Sequence, residues 1–142
     1  MTKKLSIIAK RLSQSEVFNT LSDSELLDIA EFCSEEIYQD NCVVFKENEP
    51  ANSMLVVERG KLAIEKKIQV GRQSTPRNAT IAYVSPNQVA GFSTIAFPHT
   101  HTASVIAIEP TRVLTIEGQK LRQYLASNPE AGYKVVNALV TL

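Results

Sequence analysis

A mainly-β fold with flanking helices is predicted, and three observations predict it. Short apolar runs separated by polar turns fill the middle of the chain. Helical periodicity is confined to the two ends. Between the strands there is no recurring helical crossover of the kind a parallel sheet requires. Together they indicate a roll or sandwich in a single domain spanning 1–142. Its parts are N-terminal helices over 5–34, a β-roll over 36–117 and C-terminal helices over 118–142.

The N-terminal elements follow from spacing and capping. Leu5, Ile8, Ala9 and Leu12 recur at helical intervals and predict a short helix over 5–14. Ser22 precedes Glu25 by three residues, a capping box, and Leu21 is placed to staple against Leu26. Leu26, Ile29, Ala30 and Cys33 then trace one apolar face, so a helix is predicted over 23–34 with Cys33 buried on it.

The period then shifts to strands. Cys42–Phe45, Met54–Glu58, a run starting at Leu62, Thr80–Val84, Ala103–Ile108 and Arg112–Ile116 are rich in β-formers. Arg59-Gly60 marks a tight hairpin turn, and the polar stretch 69–79 reads as a solvated loop carrying Arg72 and Arg77. After Gly118, Leu121, Tyr124 and Leu125 predict a helix. Asn128-Pro129 restarts a second one, with Asn128 as cap and Pro129 at the first helical position. Its stripe of Ala131, Val135, Ala138, Leu139 and Leu142, widened by Val136 and Val140, is wide enough to require a partner. That partner is either the chain's own roll or a second copy, and a homodimer through this helix is the preferred expectation.

Composition removes several function classes. Fifteen basic and fifteen acidic residues give zero net charge, which offers no electrostatic case for nucleic-acid binding by this chain. No apolar stretch approaches the ~18 residues of a membrane span, and the N-terminus does not read as a signal peptide. Cys33 and Cys42 are the only cysteines and lack CxxC spacing, which predicts reduced structural thiols in a cytoplasmic protein. No nucleophile elbow, P-loop or carboxylate pair is present, so neither an enzyme nor a cofactor is predicted.

The chemically suggestive stretch is Val89–Val105, VAGFSTIAFPHTHTASV. Gly91 leads small hydroxyl residues into what reads as a loop and short helix. His99 and His101, the only histidines, form an H-x-H pair. On a strand that pair shares one face and could offer two imidazoles to a metal, although no third histidine exists. A small metal-binding β-roll using them is therefore one alternative.

VFNTLSDSELLDIAEFC at 17–33, KENEPANSMLVVERGKLAI at 46–64 and AGFSTIAFPHTHTASVIAI at 90–108 resemble the cyclic nucleotide-binding domain, the sensory half of the CRP/FNR regulators. The resemblance covers about residues 10–142. It implies a double-stranded β-helix, or jelly-roll, and a sensory rather than catalytic role. Nucleotide-binding members carry a glutamate after the cassette glycine for the ribose 2′-hydroxyl. They carry an arginine for the cyclic phosphate at the start of R-S/T-A. Here those positions hold Phe92 and His101, followed by Thr102-Ala103. An acceptor and a permanent cation are both missing, so standard cyclic AMP or cyclic GMP binding is not expected. The candidate site is the altered cassette: Gly91, Phe92, Ser93, Thr94, His101, Thr102 and Ala103. A small-molecule effector there is one expectation, and a protein-interaction scaffold without a ligand is the other. CRP/FNR regulators continue into a helix-turn-helix, and no recognition helix is expected within these residues.

Overall fold

The computed structural model describes residues 3–69, 71–72 and 75–142. The chain begins with α1 (Lys3–Ser13) and α2 (Asp23–Ala30). Strands β1 (Cys33–Tyr38), β2 (Val43–Phe45), β3 (Ser53–Arg59), β4 (Leu62–Ile68), β5 (Arg77–Val84) and β6 (Val89–Ala90) follow. A 3-10 turn, Phe92–Thr94, leads to β7 (Ser104–Ala107) and β8 (Thr111–Glu117), then α3 (Gly118–Ser127) and α4 (Pro129–Val140).

The predicted jelly-roll is corrected. The strands form two open four-stranded antiparallel sheets, ordered β1-β8-β3-β6 (sheet 1) and β2-β7-β4-β5 (sheet 2). Neither closes, and with four helices the fold is mixed α/β rather than mainly β. The edge strands explain the openness: β6 has two residues, β2 has three, and a bulge interrupts the β2–β7 pairing. Neither is long enough to carry hydrogen bonding around a corner.

The helix over 23–34 is also corrected. The Ser22–Glu25 capping box is present, but α2 ends at Ala30 and Cys33 opens β1, paired to Ile116 of β8. In CSEEIY the paired glutamates hide the alternation, and only pairing with β8 fixes the strand. Cys33 still faces the helical core, where burial pushes its thiol up to about 12. Within the predicted 69–79 loop, residues 70, 73 and 74 lie outside the described residues, and β5 already starts at Arg77.

Two cores result from strand alternation. On β3 and β8, Met54, Val56, Leu114 and Ile116 point outward from sheet 1. They pack against Phe18, Ile29, Leu121, Leu125 and Val135. Leu55, Val57 and Val113 point inward and meet Leu62, Val84, Val105 and Ala107 of sheet 2. Central strand β3 is thus buried on both faces, which is why it reads as the unbroken run MLVV. Polar contacts fix the helices around the first core. Lys134 reaches Glu25 at 2.9 Å, and the Tyr124 hydroxyl donates to Asp28 at 2.9 Å.

Candidate functional site

The cassette is set by backbone geometry at its start. Gly91 has φ +93°, and a Cβ there would lie 2.8 Å from the Ser53 carbonyl oxygen, so glycine is required on both counts. Phe92, Ser93 and Thr94 make the 3-10 turn. Thr94 is fully buried, and its hydroxyl donates to the Ser53 carbonyl at 2.8 Å. It therefore fastens the turn to β3 instead of facing a cavity. Ser93 contributes its carbonyl, 3.1 Å from His99 Nδ1.

The H-x-H pair does not lie on a strand. His99 sits in a turn with φ +62°, and β7 begins only at Ser104. The shared-face expectation fails, because the 46–52 loop, rather than a strand partner, holds this segment. Ala51 N–H donates to the His99 carbonyl, His101 N–H to the Glu49 carbonyl, and Asn48 N–H to the His101 carbonyl. Among the described residues no three His, Cys, Asp or Glu side chains group as metal ligands, which removes the geometric basis of the metal alternative.

His101 is buried, with 6% of its surface exposed, and its ring stacks on Phe45 at 4.1 Å between centroids and 19° between planes. Thr102 is exposed and its carbonyl accepts from Lys66 Nζ at 2.8 Å; Ala103 is half-buried. The structure thus brings the two halves of the cassette together by way of His99 and Ser93. The His101 ring is turned onto Phe45, a residue sequence reasoning placed only in a strand. Nothing in the local pattern pairs positions 45 and 101; the β2–β7 ladder sets Phe45 opposite Val105, and the backbone bonds of His101 to Asn48 and Glu49 hold its ring nearby.

Phe45 also borders a cleft of about 420 Å³ between β1 and β2, with Tyr38, Glu49, Asn52, Ser53 and Thr115 in its lining. That volume suits a small molecule. The Thr115 hydroxyl is buried there without a partner.

Burial holds the His101 pKa below its ordinary 6.5, against an opposing pull from Glu49. The folded chain therefore keeps this ring neutral where the unfolded chain would protonate it. Stability from the neutral ring is present above 6.5 and is lost as pH falls from 6.5 toward the lowered folded value. Urea unfolding between about pH 7.5 and pH 5.5 is expected to show the native chain losing more stability than His101→Gln, by at most about 1.4 kcal/mol per pH unit. Equal losses in the two proteins would refute the buried neutral ring.

The cassette is joined to the C-terminal helices at Thr94. Arg122 Nη1 of α3 donates to the Thr94 carbonyl at 2.8 Å, and Gly118 N–H donates to Asn52 O at 2.8 Å. A Cβ on Gly118 would meet Thr94 Cγ2 at 2.6 Å, so α3 starts in direct contact with the turn.

The strand scaffold thus presents a glycine-led turn to a following helix pair. The cyclic nucleotide-binding domain family matches residues 35–128, and the chain belongs to that family. The family is a non-catalytic regulatory module related to the CRP/FNR regulators. The chain is 21% identical over 128 residues to the CRP-like cAMP-activated global transcriptional regulator of Mycobacterium tuberculosis, covering 90% of this chain and 55% of the regulator. The chain therefore spans about half the length of the curated relatives it matches. A Geobacter metallireducens protein assigned as cyclic nucleotide-binding superposes with TM-score 0.82 at 26% identity, covering 99% of this chain and 95% of the other. The regulatory subunit of a cAMP-independent protein kinase A from Trypanosoma brucei, in a triple-substituted form bound to cAMP, superposes with TM-score 0.79 at 12% identity. That match covers 98% of this chain and 47% of the subunit. Among the described residues no helix is long and apolar enough to cross a membrane.

Proposed function

We propose that residues 1–142 act as one regulatory unit whose cassette does not recognise cyclic AMP or cyclic GMP in the family's usual way. The observation that carries this reading is the His101–Phe45 stack. The position expected to hold the phosphate's cation is a buried imidazole kept neutral by desolvation. Phe92, at the expected acceptor position, offers no hydrogen bond. The trypanosome neighbour supports the same logic, since a cAMP-independent subunit was captured with cAMP after substitutions that introduce an arginine.

Signalling in this reading is a population shift. An effector at Gly91–Thr94 or His101–Ala103, or in the cleft that shares Phe45, favours one placement of the cassette. Arg122 and Gly118 pass that placement to α3 and α4. The exposed stripe Tyr133, Val136 and Val140 on α4 supports readout by a second copy of the chain. Two unpaired thiols, Cys33 and Cys42, support a cytoplasmic setting.

A second reading, a protein-interaction scaffold with no small-molecule ligand, is favoured by the Thr94 hydroxyl. It is spent on the Ser53 carbonyl instead of being offered to a ligand.

Thermal unfolding against cyclic AMP, cyclic GMP, inorganic phosphate and simple carboxylates tests these readings. The native chain is expected to show no midpoint shift with either cyclic nucleotide, because a ligand selective for the folded state must raise it. A clear shift with cyclic AMP would overturn the argument from Phe92 and His101. A shift with a non-nucleotide anion would overturn the scaffold reading instead.

A further inference from the structure

The two sheets differ in how their outer faces are covered. Helices pack on sheet 1, whereas the outer face of sheet 2 carries apolar side chains in the open. Register places Val43 beside Ile106, Ile106 beside Ala63, and Ala63 beside Tyr83. This is a row across all four strands. Within it Val43 is 47% exposed and Tyr83 56%, Ile106 is half-buried, and the small Ala63 lies buried between its larger neighbours at 1%; Ile81, at the bulge next to Tyr83, is 58% exposed. A solvated strand face normally alternates to polar residues, and single exposed apolar residues need no explanation. A contiguous apolar row marks a contact surface.

The charges beside the row say what covers it. Lys61, the residue before β4, is followed on the strand by Ala63 and Glu65: positive, small, negative. Lys61 Nζ lies 5.3 Å from the Tyr83 ring centroid at one end, and Glu65 accepts from the Thr80 hydroxyl at 3.4 Å at the other. Neither charge has an ion-pair partner among the described residues. A surface ordered this way is complementary to itself when one copy is turned end for end. The formal net charge of zero adds no repulsion between copies.

We infer that the outer face of sheet 2 binds a second copy of this chain, face to face about a two-fold axis through Ala63 and across the strands. The Val43–Ile106–Ala63–Tyr83 row covers its equivalent, and Lys61 of each copy meets Glu65 of the other. This interface is independent of the cassette and lies on different elements from α4.

Sedimentation equilibrium of the full chain tests it. The native protein is expected to dimerise, and Lys61→Glu and Glu65→Lys are each expected to weaken association by about tenfold or more. An equimolar mixture of the two single variants is expected to recover it, because both ion pairs re-form in the mixed dimer. Tyr83→Ser, at a side chain more than half exposed, is expected to weaken association without reversing a charge. A monomeric native chain overturns the inference. So does a dimer indifferent to Tyr83→Ser, or one lost on combining Val136→Glu with Val140→Glu while both charge variants still associate. Folded single variants that fail to recover on mixing overturn the two-fold pairing.

Discussion

The double variant Phe92→Glu/His101→Arg is expected to gain a thermal response to cyclic AMP that the native chain lacks. Position 101 is already oriented by two backbone hydrogen bonds to the 46–52 loop, so a side chain there starts from a fixed place. An arginine can lay its guanidinium on Phe45 as the imidazole does, while carrying a charge that burial does not remove. Its fork also suits a phosphate bidentately. A glutamate at position 92 stands at the start of the 3-10 turn, on a side chain that is 40% exposed, so it replaces no buried ring. At a concentration about 100 times the dissociation constant, linkage adds about 2.7 kcal/mol and raises the midpoint by several degrees. His101→Arg alone is expected to give a smaller shift, since the sugar would still face Phe92. A folded double variant with no response would show that the cassette has lost the shape as well as the residues.

Phe18→Ala is expected to cost about 3–5 kcal/mol in urea unfolding. Phe18 lies in the segment between α1 and α2, with none of its surface exposed, and belongs to the cluster that includes Ile8, Ile29, Met54, Leu114, Leu121 and Val135. Its ring therefore packs in the core shared by the N-terminal helices, sheet 1 and the C-terminal helices. The segment is preorganised around it, because Phe18 N–H donates to the Ser15 hydroxyl at 3.1 Å. Truncation leaves a cavity walled by several elements that cannot close together. Phe18→Leu, which keeps most of the volume, is expected to cost less than about 1.5 kcal/mol. A loss below about 1 kcal/mol for the alanine variant would mean that the helices do not share one core with sheet 1.

Local chemistry was legible wherever a short-range interaction decides the structure. The Ser22–Glu25 box needs only residues three apart, and both of its bonds are present. Gly60 and Gly91 have positive φ as their turn roles require. Pro129 opens α4 as its missing N–H allows, although Asn128 makes no side-chain cap bond there. That Phe92 and His101 stand where the resemblance expects a glutamate and an arginine was equally plain, because residue identity needs no coordinates.

Long-range pairing was not legible. Cys33 completes a helical stripe in the sequence, and only pairing with β8 draws it into a strand. The closed roll expected from the resemblance depends on how far β2 and β6 reach, and three-residue and two-residue strands leave both sheets open. Ser93, Thr94 and Thr102 looked like a lining of equivalent hydroxyls, yet the Thr94 hydroxyl holds the turn to β3 and its carbonyl receives Arg122 from α3. The sequence by itself determined the Ser22–Glu25 cap, the Gly60 and Gly91 turns, and which residues stand at the cassette positions of the resemblance. The cap and the turns are set by interactions within a few residues. Tertiary structure alone decided that His101 turns onto Phe45, that the cassette is bolted to α3, and that one sheet face is left bare. Each of these depends on side chains brought together from opposite sheets or distant elements, and no local pattern encodes those meetings.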